Sequence, residues 1–439
     1  MRRPIRWARA LGAALTLWLV TGQSAPVRAQ AQAQEIQLPS GFVVETVASR
    51  LDAPTAVAFA PDGRIYVTLK AGVVRVIHHG QLQRENVLDL SSQVNQMYNR
   101  GLVGVAVHPA FPQTPYLYFA YVYEPPEARA HKPGGARTSR VVRIAVDPDN
   151  LNRALPDTLV TILGANGGFE QIGNPDQSDR EPLSCQEEDG RAAQDCIPVE
   201  GTAHQANMLR FGRDGALYVS VGDGAEHGAA SLRAQDLDSL SGKILRINPL
   251  TGNGYPNNPF FNGQPSSNRA KVYTLGLRNP FRFAFHPTAG ELIIGDVGQA
   301  QWEEVNRGRA GANFGWPCFE GPDPGAQAPP CDRLRRTPNR AIFPVHAYPH
   351  TEGRVAIVGG DVYTGSAYPA DFRNRYFFGD YNAGAVWMLP LTGPPAAQEF
   401  ARGFSGLVQI TLGPDGHLYL LSIRHGTLYR IRYTGDPGP

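Results

Sequence analysis

The sequence predicts an all-β protein, a six-bladed β-propeller over about residues 36–434, and two observations carry that prediction. The 439 residues include 48 glycines and 37 prolines. Breakers in that number suit short strands joined by many turns rather than long helices. One phrase also returns six times: an apolar strand, a Pro-Asp-Gly-like turn, then a strand carrying an aromatic. It stands at AVAFAPDGRIYVTLKAGVVRVI (56–77), GLVGVAVHPAFPQTPYLYFAYVY (101–123) and MLRFGRDGALYVSVGDG (208–224). It returns at FRFAFHPTAGELIIGDVG (281–298), DVYTGSAYPADFRNRYFFGDYNAGAVWML (361–389) and QITLGPDGHLYLLSIRHGTLYRIRY (409–433). A hairpin of this kind has two faces to bury, and stacking four-stranded blades around an axis covers both. A sandwich is the alternative, but it has no need of six similar hairpins. The polar stretches 124–138 and 167–200 read as long loops on one face, where propellers carry function. No long helix is expected, and 232–240 reads as one or two helical turns.

Residues 1–29 read as a signal peptide rather than as structure. Five arginines and no acid accompany the apolar run Leu11–Val20, and Val27-Arg28-Ala29 offers a small-x-small cleavage site. The run is short for a membrane span, and nothing later approaches one. The formal charge of +2 falls to −3 once that segment is set aside. No basic stripe remains to suggest nucleic acid. The expectation is a protein exported to the periplasm or secreted. Four cysteines suit that compartment: proximity favours Cys185 with Cys196 and Cys318 with Cys331, each pinning a loop. Neither pair has zinc spacing.

The chain's chemistry centres on GTAHQANMLRFGRDGALYVSVGDG (201–224). Gly212-Arg213-Asp214-Gly215 is turn chemistry, so the flanking strands fold into a hairpin whose open end holds both His204 and Asp223. A carboxylate beside an imidazole can fix its tautomer and make it a base; the alternative is a rim histidine with a hydrogen-bonded turn aspartate. In AQDLDSLSGKILRINP (234–249), Leu237 and Leu240 are expected to pack. In VYTLGLRNPFRFAF (272–285), Pro280 keeps Arg278-Asn279 at a strand end, where the planar fork of an arginine can polarise a carbonyl or bind a carboxylate. In GDVGQAQWEEVNRG (295–308), Gly298-Gln299, and beyond it Gly311, lie in tight loops whose carbonyls suit a hard cation. Glu303 and Glu304 read as exposed acids or metal-site support, and Phe314 and Trp316 as core.

Taken together, RGLVGVAVHPAF, HQANMLRFGRDGALYVSVGDG, LSGKILRINP, LGLRNPFRFAFHP and NFGWP resemble the soluble glucose/sorbosone dehydrogenases. These are six-bladed propeller quinoproteins that use pyrroloquinoline quinone (PQQ) and calcium to oxidise aldoses. The resemblance runs in order from about residue 38 to 433. It implies that His204 takes the proton of the anomeric hydroxyl and that Asp223 orients it. It implies that Arg278 and Asn279 hold the quinone carbonyls, with Arg278 also stabilising charge that develops there. Gly298 and Gln299 would turn carbonyls to calcium. The product is a lactone, and the electrons pass to an external acceptor. Three positions depart from the pattern. Asn99 stands among the cofactor-binding positions where members carry Glu or Gln, and Asn382-Ala383 replaces basic residues that meet the cofactor's carboxylates. Arg354, Arg373 and Arg424 are candidates to take their place. Two other classes fit the same fold: a calcium-dependent hydrolase of the lactonase kind, and a non-catalytic exported binding propeller.

Overall fold

The computed structural model describes residues 35–177, 183–224, 229–337, 340–351 and 353–435. The signal segment 1–29 lies outside the described residues. Six sheets of at least four antiparallel strands follow one another along the chain. Blade 1 runs Pro54–Phe59, Ile65–Leu69, Val73–His78 and Gln81–Leu82, and blade 2 runs Leu102–Val107, Tyr116–Tyr123, Arg137–Asp147 and Asn150–Ala154. Blade 3 is Ala206–Phe211, Leu217–Val221, Lys243–Ile247 and Val272–Leu275, and blade 4 is Pro280–Phe285, Leu292–Asp296, Trp302–Gly308 and His346–Pro349. Blade 5 is Ile357–Val358, Arg375–Asp380, Val386–Pro390 and Gln398–Ala401. The first strand of each blade touches the first strand of the next, and that of blade 6 touches that of blade 1. The ring is therefore closed, and the six first strands line its axis.

Blade 6 shows how closure is made. Its strands Leu407–Leu412, Leu418–Ser422 and Thr427–Tyr433 are joined by Phe42–Ala48 from the start of the chain, in the register Phe42↔Tyr433 to Thr46↔Tyr429. The two ends of the propeller are thus held by one antiparallel ladder. The second strands Ile65–Leu69, Leu217–Val221, Leu292–Asp296 and Leu418–Ser422 are buried at every position, because neighbouring blades cover both faces. That is why they read as continuous apolar runs rather than as the alternation of a one-faced sheet.

The insertions hold the helical pieces. The turn expected at 232–240 is a 3₁₀ segment, Ala229–Gln235, and Leu240 is buried as expected. An eight-residue α-helix, Pro329–Arg336, was not anticipated; it begins on two prolines suited to a first turn and carries Cys331. Both disulfides form as the spacing suggested, Cys185–Cys196 and Cys318–Cys331, and no cysteine is free. Intact protein should therefore take up no alkylating reagent without reduction. Replacing Cys318 and Cys331 together by serine should cost about 3 kcal/mol in denaturant unfolding, the value for a loop of this length. Among the described residues, no helix is long and apolar enough to cross a membrane.

Candidate active site

The central hairpin delivers the expected pair. Ala206 pairs with Val221 and Phe211 with Leu217, while Asp214 Oδ1 accepts from the Ala216 amide at 3.2 Å within the turn. At the open end His204 Nδ1 lies 2.7 Å from Asp223 Oδ1, with both residues buried. An ionised carboxylate only accepts, so Nδ1 carries the proton and Nε2 is left as a lone-pair acceptor. Burial works against the ionised form of Asp223, but His204, the nearby Arg278 charge and Trp316 outweigh it and hold the carboxyl below the ordinary aspartate range.

Backbone constraints fix this dyad. His204 has φ 67°, a left-handed conformation uncommon outside glycine, and such outliers gather at functional sites. A Cβ on Gly222 would lie 2.6 Å from the His204 Cα and carbonyl oxygen, so only glycine lets the two backbones meet. The Asp223 amide donates to the Arg278 carbonyl at 2.8 Å, and its Oδ2 accepts from Trp316 Nε1 at 2.8 Å. Trp316, read from sequence as core, is core with a polar task. It clamps the orienting carboxylate.

His204 opens onto a cavity of about 530 Å³ at the N-terminal ends of the innermost strands. All six blades contribute, through Thr55, Val103, Asn207, Phe281, Ile357 and Val408. The charge of the lining is one-sided: Lys70, Arg100 and Arg282 are present, and no aspartate or glutamate is. Gln205 also lines it, with Nε2 donating to the Asn99 carbonyl at 3.0 Å and a buried Oε1 that has no partner among the described residues. A polar, anionic ligand suits this set of groups.

The other sequence-predicted residues are placed unevenly. Asn279 lines the cavity, accepting from Asn207 Nδ2 at 2.8 Å, and Asn99 sits at its edge. Arg278 is not in the lining. Its Nη1 donates to the Val297 and Gly298 carbonyls at 3.1 and 2.5 Å, and its guanidinium lies 5.5 Å from the Trp316 ring. Gly298 and Gln299, expected to face calcium, sit in a loop whose Gly298 carbonyl and Gln299 amide are engaged elsewhere. The Gly298 carbonyl takes the Arg278 guanidinium, and the amides of Gln299, Ala300 and Gln301 donate to Glu320 Oε1 at 2.7, 2.8 and 2.9 Å. Among the described residues no group of three or more His, Cys, Asp or Glu side chains is arranged to hold a metal ion. A guanidinium on the carbonyl that calcium needs does not fit the expected site.

Of the three candidate arginines, Arg424 stands at the mouth, 4.8 Å from the lining residue Tyr381, and Arg354 adjoins the lining residue Val355. Arg373 precedes the strand Arg375–Asp380, whose far end leads to Tyr381, so it belongs to the opposite rim. Sequence reasoning missed Gln205, Lys70 and Arg282. Gln205 was detectable as the residue next to His204; Lys70 and Arg282 had no local signal.

Glu303 and Glu304 are buried, not exposed. Glu303 accepts from the Ile357 amide at 2.8 Å and meets His350 Nε2 at 2.6 Å, bracing the rim beside the cavity. Glu304 faces Asp296, whose two oxygens accept from the Asn279 and Arg278 amides at 2.7 and 3.0 Å. Asp296 thus positions the Arg278-Asn279 dipeptide, while the oxygens of Glu304 accept from the Gly321 amide and Asn306 Nδ2; burial and their mutual repulsion raise the Asp296 carboxyl as well, so the two acids share a proton. Burial, with the neighbouring acids Glu320 and Glu303, pushes Glu304 up to about 7 from 4.5. The sign follows from linkage: a carboxyl raised on folding stabilises at low pH and loses that contribution as pH rises through its folded value. Stability should fall by up to about 3 kcal/mol between pH 4.5 and 7. Glu304→Gln should flatten that slope in denaturant unfolding across pH, and an unchanged slope would refute the assignment.

Comparison with known proteins places this geometry in a family. A model described as glucose/sorbosone dehydrogenase matches residues 51–162 and 188–430. The HIPL2 protein of Arabidopsis thaliana is 26% identical over 321 residues, covering 68% of this chain and 45% of its own length. Quinoprotein glucose dehydrogenase B of Acinetobacter calcoaceticus is 26% identical over 297 residues, 64% of this chain and 53% of that protein. The crystal structure of an oxidoreductase described as a glucose dehydrogenase, from Thermus thermophilus, is 27% identical with a TM-score of 0.63. That alignment covers 89% of this chain and all of the other. The chain spans about half the length of the curated relatives it matches first.

Proposed function

The chain belongs to the glucose/sorbosone dehydrogenase family, and we propose that it oxidises the anomeric hydroxyl of an aldose sugar to a lactone with PQQ as hydride acceptor. One observation supports the reading above all others: a buried His204–Asp223 dyad opening onto a cavity lined by cations and no carboxylate. PQQ, a planar quinone bearing carboxylates, supplies the two-electron acceptor that the twenty amino acids lack. The chain's residues do the rest. His204 Nε2 accepts the proton of the sugar hydroxyl as hydride leaves the same carbon, and Asp223 stabilises the imidazolium so formed. Asn279, held by Asn207 and Asp296, orients polar groups of the bound ring system. Arg278 acts from behind, securing the Val297–Gly298 turn and adding positive charge near Asp223. Lys70, on the cavity wall, and Arg424, at the mouth, are the basic residues that answer for Asn382 and Ala383. No step is assigned to calcium.

The electrons pass to an external acceptor, and the two disulfides together with the segment 1–29 favour a place outside the cytoplasm. The test is to mix purified protein with PQQ, follow dye reduction over a panel of aldoses, and identify the product as lactone. PQQ should co-elute on gel filtration. Protein that retains no PQQ and reduces no dye with any aldose overturns the reading. In that event, turnover of lactones with added calcium would favour the hydrolase, and sugar binding without turnover the binding propeller.

A further inference from the structure

Arg282 is the third residue of the innermost strand of blade 4, and it is only 2% exposed. Its guanidinium crosses the central channel. Nη2 donates to the Thr55 carbonyl of blade 1 at 2.8 Å and the Val103 carbonyl of blade 2 at 3.3 Å. Nε donates to the Val408 carbonyl of blade 6 at 3.1 Å, and Nη1 to the Phe281 carbonyl at 3.0 Å. All four acceptors are neutral carbonyls. Three other buried arginines have a carboxylate partner, Arg137 with Glu124, Arg233 with Glu200 and Arg246 with Asp214, whereas Arg100, on the same cavity, donates like Arg282 to backbone carbonyls. Burial pushes the Arg282 guanidinium down to about 9, so it remains charged at neutral pH with no carboxylate to balance it. A buried charge without a counter-ion is costly, and four carbonyl dipoles offset that cost only in part. Arg282 also belongs to the lining of the cavity that holds His204. Of the two cavities it borders, about 530 and 220 Å³, the one that holds His204 has the room for a ring-sized counter-ion.

We propose that Arg282 is the fixed counter-charge for an anionic cofactor at the cavity floor, making the site select the carboxylated form of a planar quinone over an uncharged analogue. The proposal rests on the quinone reading of the cavity. It adds a second task to a residue whose visible one is to tie the innermost strands of blades 1, 2, 4 and 6. Those tasks separate by experiment, because loss of a structural tie weakens every ligand, whereas loss of charge weakens only the anion.

The measurement is the ratio of dissociation constants for PQQ and its trimethyl ester, by calorimetry or fluorescence titration. Wild-type protein should prefer the trianion at least tenfold, since a unit charge in a partly desolvated site discriminates on that scale. Arg282→Gln should lose that preference while keeping its affinity for the ester, and Arg282→Lys should retain the preference. Equal weakening of both ligands in Arg282→Gln would reduce the residue to a structural tie and overturn the proposal. Wild-type protein that binds both forms equally would overturn it and leave the quinone reading standing; wild-type protein that binds neither ends both. Should Arg282→Gln fail to fold, Lys70→Gln and Arg100→Gln decide. Preference for the trianion surviving in both of those variants supports Arg282 as its source, and preference lost with either overturns it.

Discussion

Replacing His204 by glutamine should lower kcat by about 10³-fold, within the range that general-base removal costs, and leave PQQ affinity within a few-fold of wild type. Glutamine fills nearly the same volume and can still donate toward Asp223 Oδ1, which Nδ1 of the histidine meets at 2.7 Å. It cannot accept a proton at neutral pH. The left-handed backbone at His204 also survives the change, because Gly222 and the Gly224 amide, which donates to the His204 carbonyl at 3.2 Å, impose it from outside the side chain. Steady-state dye reduction, paired with a PQQ titration, separates chemistry from binding. Wild-type rates from this variant would remove His204 from the reaction. A matched loss of quinone binding would instead make it a binding residue.

The parts of this site that local sequence could show were those built within one hairpin. His204 and Asp223 lie nineteen residues apart but at the same open end of one strand pair, so turn chemistry alone brings them together. The six blades were legible for the same reason, each announced by its own turn. Closure was not, because Phe42–Ala48 pairs with a strand some 385 residues away and no short-range pattern encodes that ladder. The aim of Arg278 was not legible either. Its fork is drawn to the Val297 and Gly298 carbonyls and toward Trp316, groups that arrive on separate loops. Glu303-Glu304 looks like surface in a row of letters, yet the strand Trp302–Gly308 that carries them is buried through most of its length, and both acids have partners inside. Lys70 and Arg282 gain meaning only when the ring closes and points them at one cavity.

Asp223→Asn should leave a folded protein with kcat reduced by about 10²- to 10³-fold, less than the loss seen when a triad aspartate is amidated elsewhere. Asp223 accepts from two donors at once, His204 Nδ1 at 2.7 Å on one oxygen and Trp316 Nε1 at 2.8 Å on the other. An asparagine has one oxygen to offer. The indole is a donor in every state, so the amide oxygen goes to Trp316 and the amide NH₂ turns to His204 Nδ1. Nδ1 must then accept, the ring proton moves to Nε2, and the atom that should take the substrate proton no longer can. The charge that stabilises the imidazolium is lost in the same change. This tautomer shift makes a second, sharper demand. Trp316→Phe removes the competing donor, so in the double variant the oxygen of the introduced amide is free to face His204 and restore the working tautomer. Asp223→Asn with Trp316→Phe should therefore be more active than Asp223→Asn alone, by about tenfold, although Trp316→Phe by itself lowers activity. Non-additivity of this sign is the mark of a shared hydrogen-bond network. If the double variant is instead slower than either single one, Trp316 is packing only, and the tautomer account of Asp223 fails with it.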